Sequence, residues 1–145
     1  MKSEEGVFFL TGKDFTNAGS ASGSLKGILE RNSVDAAFIR RASIAAFEAE
    51  MNLIIYAVAG MMHYYVTEES IRVVVQDMGP GIPNIELAMQ EGYSTAPDYI
   101  REMGFGSGMG LPNIKRNSDV LNVNSVVGEG ATIEFIIYLK PQQGS

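Results

Sequence analysis

The sequence predicts an α/β (α+β) fold: a two-layer sandwich in which helices cover one face of a mixed, mainly antiparallel sheet. Three observations carry that expectation. Residues 35–59 hold no proline or glycine and repeat apolar side chains at helical spacing. Two pairs of β-rich runs, 61–66 with 71–77 and 120–127 with 131–139, are each joined by a short polar or glycine-bearing turn. The order is then strand, helices, hairpin, helix and loop, helix, hairpin, which places adjacent antiparallel pairs beside helices. At 145 residues, the chain suits a single compact domain with a sizeable core.

Taken in order, residues 6–10 (GVFFL) read as a short strand. Residues 17–31 form a weaker helix with Leu25, Ile28 and Leu29 on its apolar face, and its Asn, Gly and Ser leave the start open. The helix from Asp35 to about Ala59 is the clearest element. Ile44, Phe47, Met51, Ile54 and Val58 alternate steps of three and four, which predicts that they form the buried stripe. MMHYYV and IRVVVQD flank the polar TEES and predict a hairpin. A short helix at 84–91, an irregular loop at 92–105 and a helix over about 108–118 follow. A hairpin turning at Gly128–Gly130 ends the pattern, with Ile133, Phe135 and Ile137 on one face of its last strand.

Composition removes several function classes. There is no cysteine, and His63 is the only histidine, so disulfide frameworks, thiol nucleophiles and the usual zinc sites are absent together. His63 reads as an ordinary residue near an element end. A net charge of −6 argues against nucleic acid, whose affinity rests on Lys and Arg neutralising phosphates. No uncharged apolar run reaches the ~18 residues of a membrane span. The start MKSEEGVFF is acidic where a signal peptide is basic. A cytoplasmic protein is the expectation.

The segment "GFGSGMGLPN", residues 104–113, spaces four glycines two apart, although each ordered glycine costs roughly 0.5–1 kcal/mol relative to alanine. It fits neither the dinucleotide fingerprint nor the kinase glycine loop, because the third glycine position is Met109 or Leu111. It is not a P-loop, since the only Gly-Lys, at 12–13, runs into Asp14. The loop does lead straight into a helix, whose free N–H groups and dipole would face whatever the glycines admit. Two other segments support a nucleotide. In "DMGPGIPN" a strand ends in Asp77, a carboxylate able to accept from an exocyclic amine, and glycines beside it would let a flat base approach. In "FEAEMN" Glu48 and Asn52 stand four apart on one helix face, an acid and an amide able to orient a nucleophile and hold a metal ion.

These segments resemble the GHKL (Bergerat-fold) ATP-binding family. Its E-x-x-x-N box matches Glu48 to Asn52. Its D-x-G-x-G-I box matches Asp77, Gly79, Gly81 and Ile82, and its glycine lid matches Gly106, Gly108, Gly110 and Leu111. The late GEGATIEF resembles the last box, which sets a threonine near the adenine-binding aspartate. Alanine takes the usual threonine position here, so Thr132 is the candidate. The boxes run in order over about 39–139, and the resemblance implies one histidine-kinase-like ATPase domain across 1–145.

Within the family the chain looks most like the anti-sigma factor and switch serine kinases of bacterial partner-switching systems. The resemblance implies ATP and Mg²⁺ as cofactors, with Asp77 on the adenine amine, Asn52 as the metal ligand and Glu48 as the base. The glycines would contact phosphates. Arg101 and Lys115 read as surface charges, and Tyr56 as a packing residue. Three activities stay open: a protein serine/threonine kinase, a nucleotide-gated protein that sequesters a partner, and a slow ATPase or sensor. Partners implied are ATP or ADP and a small protein, either an anti-anti-sigma-like substrate or a sigma factor. Nucleic acid and membrane are not expected, and a homodimer is left open.

Overall fold

The computed structural model describes residues 3–82, 85–90 and 109–140. Strict alternation of half-buried and exposed positions makes Glu4–Thr11 strand β1, longer than its apolar centre alone suggests. A short 3-10 turn at Phe15–Asn17 follows, and Gly19, at φ 92°, turns the chain into helix α1, Ser20–Arg31. Only glycine adopts that left-handed backbone without strain. Helix α2 runs Ala36–Tyr56 and stops there because Ala57 is extended and strand β2, Ala59–Val66, begins two residues later. Strand β3 is Ser70–Met78. Thr67 closes the β2–β3 turn, its hydroxyl accepting from the N–H groups of Glu69 and Ser70, both at 3.1 Å. A single helical turn, α3, covers Ile85–Ala88, helix α4 covers Gly110–Arg116, and strands β4, Val120–Val126, and β5, Gly130–Tyr138, complete the described elements.

The sheet order is β1-β2-β3-β5-β4. All four pairings among the described residues are antiparallel, in keeping with the mainly antiparallel sheet expected. Its inner face is continuous: Met62, Tyr64 and Val66 of β2, Ile71, Val73 and Val75 of β3, and Ile133, Phe135 and Ile137 of β5 are buried. The two-layer arrangement expected from the sequence is present, with helices packed on that face.

The stripe expected on α2 is corrected. Phe47 is 37% exposed and Val58, beyond the helix, is 70% exposed. The residues that enter the main core are Ile39, Ala42, Ala45, Ala46, Ala49 and Leu53. A run of alanines lets the helix axis come close to its neighbours, whereas a period of large side chains would hold it away. The larger Met51, Ile54 and Ile55 bury instead in a second cluster with Phe15, Ala18 and Tyr56. His63 also departs from expectation. It sits in mid-strand opposite Val7 and Val74, on the face of the sheet turned away from the helices.

Glu50 is fully buried and accounts for how α1 docks. Its carboxylate accepts from the backbone N–H groups of Gly19 and Ala21, both at 3.2 Å, and of Ser22 at 3.0 Å. These are donors that a helix start leaves without intrahelical partners. A side chain of α2 thus caps α1, and the negative charge lies at the favourable end of the α1 dipole.

Candidate functional site

Asp77 lies where the inner face of β3 runs out. Ile71, Val73 and Val75 are buried at alternate positions, and Asp77, next in that series, is half-buried on the same side as the helices. Bare backbone surrounds its carboxylate. Gly60 faces it across β2, and a Cβ there would stand 2.4 Å from the Gln76 carbonyl oxygen and 2.9 Å from the Asp77 Cα. A Cβ at Gly79 would come within 2.9 Å of the Ala57 Cα. One at Gly130 would sit 2.2 Å from the Asp77 carbonyl oxygen. Ala57 and Ala131 complete the rim, and the Leu53 side chain stands beside Gly60, its Cδ1 2.5 Å from where a Cβ there would be.

The Asp77 Oδ1 accepts the Ala131 N–H at 3.0 Å, which leaves the second oxygen able to accept from a ligand. Burial pushes the Asp77 carboxyl above the ordinary aspartate range, and the Ala131 N–H pulls partly the other way. The turn after Asp77 is tied to the β4–β5 hairpin. Gly81 takes a left-handed φ of 78°, the Ile82 N–H donates to Ser125 Oγ at 2.6 Å, and the Gly128 N–H donates to the Pro80 carbonyl at 2.9 Å. Ile82 itself packs against the core.

Glu48 and Asn52 stand on successive turns of α2. Glu48 faces the start of α4: its Oε2 lies 3.4 Å from where a Cβ on Gly110 would be. Burial raises the Glu48 carboxyl above the usual glutamate range, and a hydrogen bond from the Asn113 side chain opposes that rise. Asn52 is half-buried, and its side chain has no partner among the described residues. Because Gly79 abuts Ala57 at the end of α2, the three side chains follow the helix. From Ala57 back to Glu48 is about 13 Å of rise at 1.5 Å per residue.

The structure does not bring every sequence candidate to this line. Thr132 pairs with Gln76 and Asn124 on the outer face of the sheet, opposite to Asp77. The strand alternates faces residue by residue, so the position beside Asp77 belongs to Ala131, which serves through its N–H. Leu111 is a core residue at 5% exposure. Lys115 is exposed on α4, and Tyr56 packs in the second cluster, both as expected. Gly106, Gly108 and Arg101 lie outside the described residues. The sequence motifs do not include Gly60, Gly130 or Asn113 among the site residues. A signal for Gly130 existed in the GEGAT stretch, but Gly60 and Asn113 become meaningful only once distant strands and helices meet.

An acceptor carboxylate framed by glycines at a sheet end, with an acid–amide pair running up the neighbouring helix, defines a nucleotide-binding domain of the histidine-kinase-like class. The family model for the histidine kinase-like ATPase domain matches residues 13–137, and the chain belongs to that family. Among curated proteins it is similar to the serine/threonine-protein kinase RsbT of Bacillus subtilis, 34% identical over 69% of this chain and 72% of that protein. It is also similar to the anti-sigma F factor of Anoxybacillus flavithermus, 28% identical over 80% of this chain and 73% of the relative. The anti-sigma F factor of Priestia megaterium is 30% identical over 70% of this chain and 60% of its own length.

Proposed function

We propose that the protein binds Mg-ATP along α2 and transfers the γ-phosphoryl group to a serine or threonine hydroxyl on a small partner protein. The observation that carries this reading is the Glu48 carboxylate, half-buried against α4 and one turn from an amide with no side-chain partner among the described residues. Asp77 accepts from the adenine amine, and the bare rim of Gly60, Gly79 and Gly130 admits the flat base. Glu48 accepts the proton as the acceptor oxygen bonds to phosphorus and the bond to the departing ADP breaks. Its raised affinity for protons makes the carboxylate a stronger base than an exposed glutamate.

The donor set also suits Mg²⁺. Among the described residues no three acids or histidines cluster as a protein-built metal cage. A single amide oxygen from Asn52 with phosphate oxygens and water is the kind of shell Mg²⁺ accepts. When bound, the ion would neutralise phosphate charge. The glycines of the lid, Gly106, Gly108 and Gly110, are assigned to the phosphates on the family pattern.

A second reading is nucleotide-gated sequestration of a partner such as a sigma factor, favoured by the relatives that carry the name anti-sigma F factor. On either reading the protein works in the cytoplasm on an anti-anti-sigma-like substrate or a sigma factor, alone or as a homodimer. No helix among the described residues is long and apolar enough to cross a membrane. Incubation with γ-labelled Mg-ATP and candidate partners decides between the two. A labelled small protein supports the kinase, and stable capture of a partner with no label transferred supports sequestration.

A further inference from the structure

We infer that Asn113, held by Arg116, is a positioning residue that fixes the Glu48 carboxylate and links it to the helix following the glycine segment. The inference rests on the assignment of Glu48 as the base. Gly110 and Asn113 stand three apart on α4, hence on one face, and that face meets Glu48. Gly110 leaves room: a Cβ there would be in van der Waals contact with Oε2 at 3.4 Å. Asn113 then supplies the contact, its side chain hydrogen-bonding the carboxylate.

The direction of that bond follows from chemistry. An ionised carboxylate only accepts, and a guanidinium only donates. Arg116 Nη1 donates to Asn113 Oδ1 at 2.9 Å, so the amide oxygen is engaged on the Arg116 side and the NH₂ is the group turned to Glu48. The Asn113 backbone is anchored at both ends, its N–H to the Met109 carbonyl at 2.9 Å and its carbonyl to the Asn117 side chain at 2.8 Å. Three elements of one short helix therefore set a single donor against the base. Burial raises the Glu48 carboxyl above the usual glutamate range, and this bond opposes the rise.

The test compares the full-length wild type with Asn113→Leu and Asn113→Asp. Three quantities are read: the ADP dissociation constant, the rate of Mg-ATP hydrolysis, and the Glu48 titration midpoint by carbon-13 NMR. Removing the donor in Asn113→Leu should move the midpoint to higher pH and lower turnover by about ten- to a hundredfold, the scale of a misplaced catalytic group. ADP affinity should hold. Asn113→Asp should move the midpoint further, because a second carboxylate opposes ionisation of the first. A merely structural role would not order the two variants in this way. A midpoint unmoved in both variants overturns the inference. Wild-type turnover in Glu48→Gln overturns the base assignment instead, and the two failures are distinct.

Discussion

Replacing Asp77 by asparagine should separate binding from folding. The side chain keeps its shape, and its remaining oxygen can still accept the Ala131 N–H that Oδ1 accepts at 3.0 Å. What changes is the second oxygen, the one left for a ligand, which becomes an NH₂ donor facing the donor amine of adenine. Losing a hydrogen bond to a charged group costs about 1.5–3 kcal/mol, so ADP should bind roughly 10- to 150-fold more weakly. Stability should move the other way. A carboxyl whose affinity for protons rises on folding, as burial makes Asp77's do, destabilises the fold above its unfolded pKa, because the folded state holds more protons than the unfolded one. That loss sets in as pH climbs from the ordinary aspartate range through the raised folded value. The neutral asparagine escapes it, so the ligand-free variant should melt no lower than wild type at neutral pH, and its stability should vary less across the weakly acidic range. Calorimetric titration with ADP and thermal melts over a pH series measure both effects. An ADP affinity within about twofold of wild type, in a folded variant, would remove Asp77 from the nucleotide site.

Further expectations follow from other positions. Mg-ATP or Mg-ADP at about 100 times its Kd should stabilise the fold by roughly 2.7 kcal/mol, and a thermal-shift assay at millimolar nucleotide with no response would refute the central reading. Thr132→Val should leave ADP affinity within about twofold of wild type, because Thr132 lies on the outer face; a tenfold loss would restore it to the site. Glu50→Gln sets an NH₂ among the three N–H donors that the carboxylate now satisfies, and should cost about 2–4 kcal/mol in chemical denaturation. Glu48→Gln should bind ATP nearly as wild type while turnover falls about 10²–10⁴-fold, whereas Asn52→Ala should weaken binding of Mg-ATP but not of magnesium-free ADP. Turnover of the wild type should also fall as pH drops through the raised Glu48 value, which protonates the base.

Local chemistry decided what could be read in the sequence. Asp77, Gly79 and Gly81 were legible because a strand end, a turn and a carboxylate fall within five consecutive positions. Glu48 and Asn52 were legible because a spacing of four has one meaning on a helix. The antiparallel hairpins announced themselves through short polar turns. The α2 core stripe was not legible in the same way. Helical periodicity weighs large apolar side chains, but close approach to the sheet favours alanine, and the helix carries apolar residues around much of its circumference.

Thr132 and Ala131 show the sharper limit. In a strand, one position of offset exchanges the two faces, so matching a box to within one residue assigns the wrong side of the sheet. The threonine kept the residue type of the pattern, while the alanine kept its place. The N–H at position 131 reaches Asp77, and a backbone N–H does not depend on the side chain attached to it. The same argument separates Glu50 from Glu48. Both are acids on α2, two residues apart, and their neighbours in sequence do not distinguish a solvated charge from a functional one. Two residues turn a helix by about 200°, which sends Glu50 into the N-terminus of α1 and Glu48 toward α4. The role of each acid is therefore set by the element it meets, and that information belongs to the packing of distant segments.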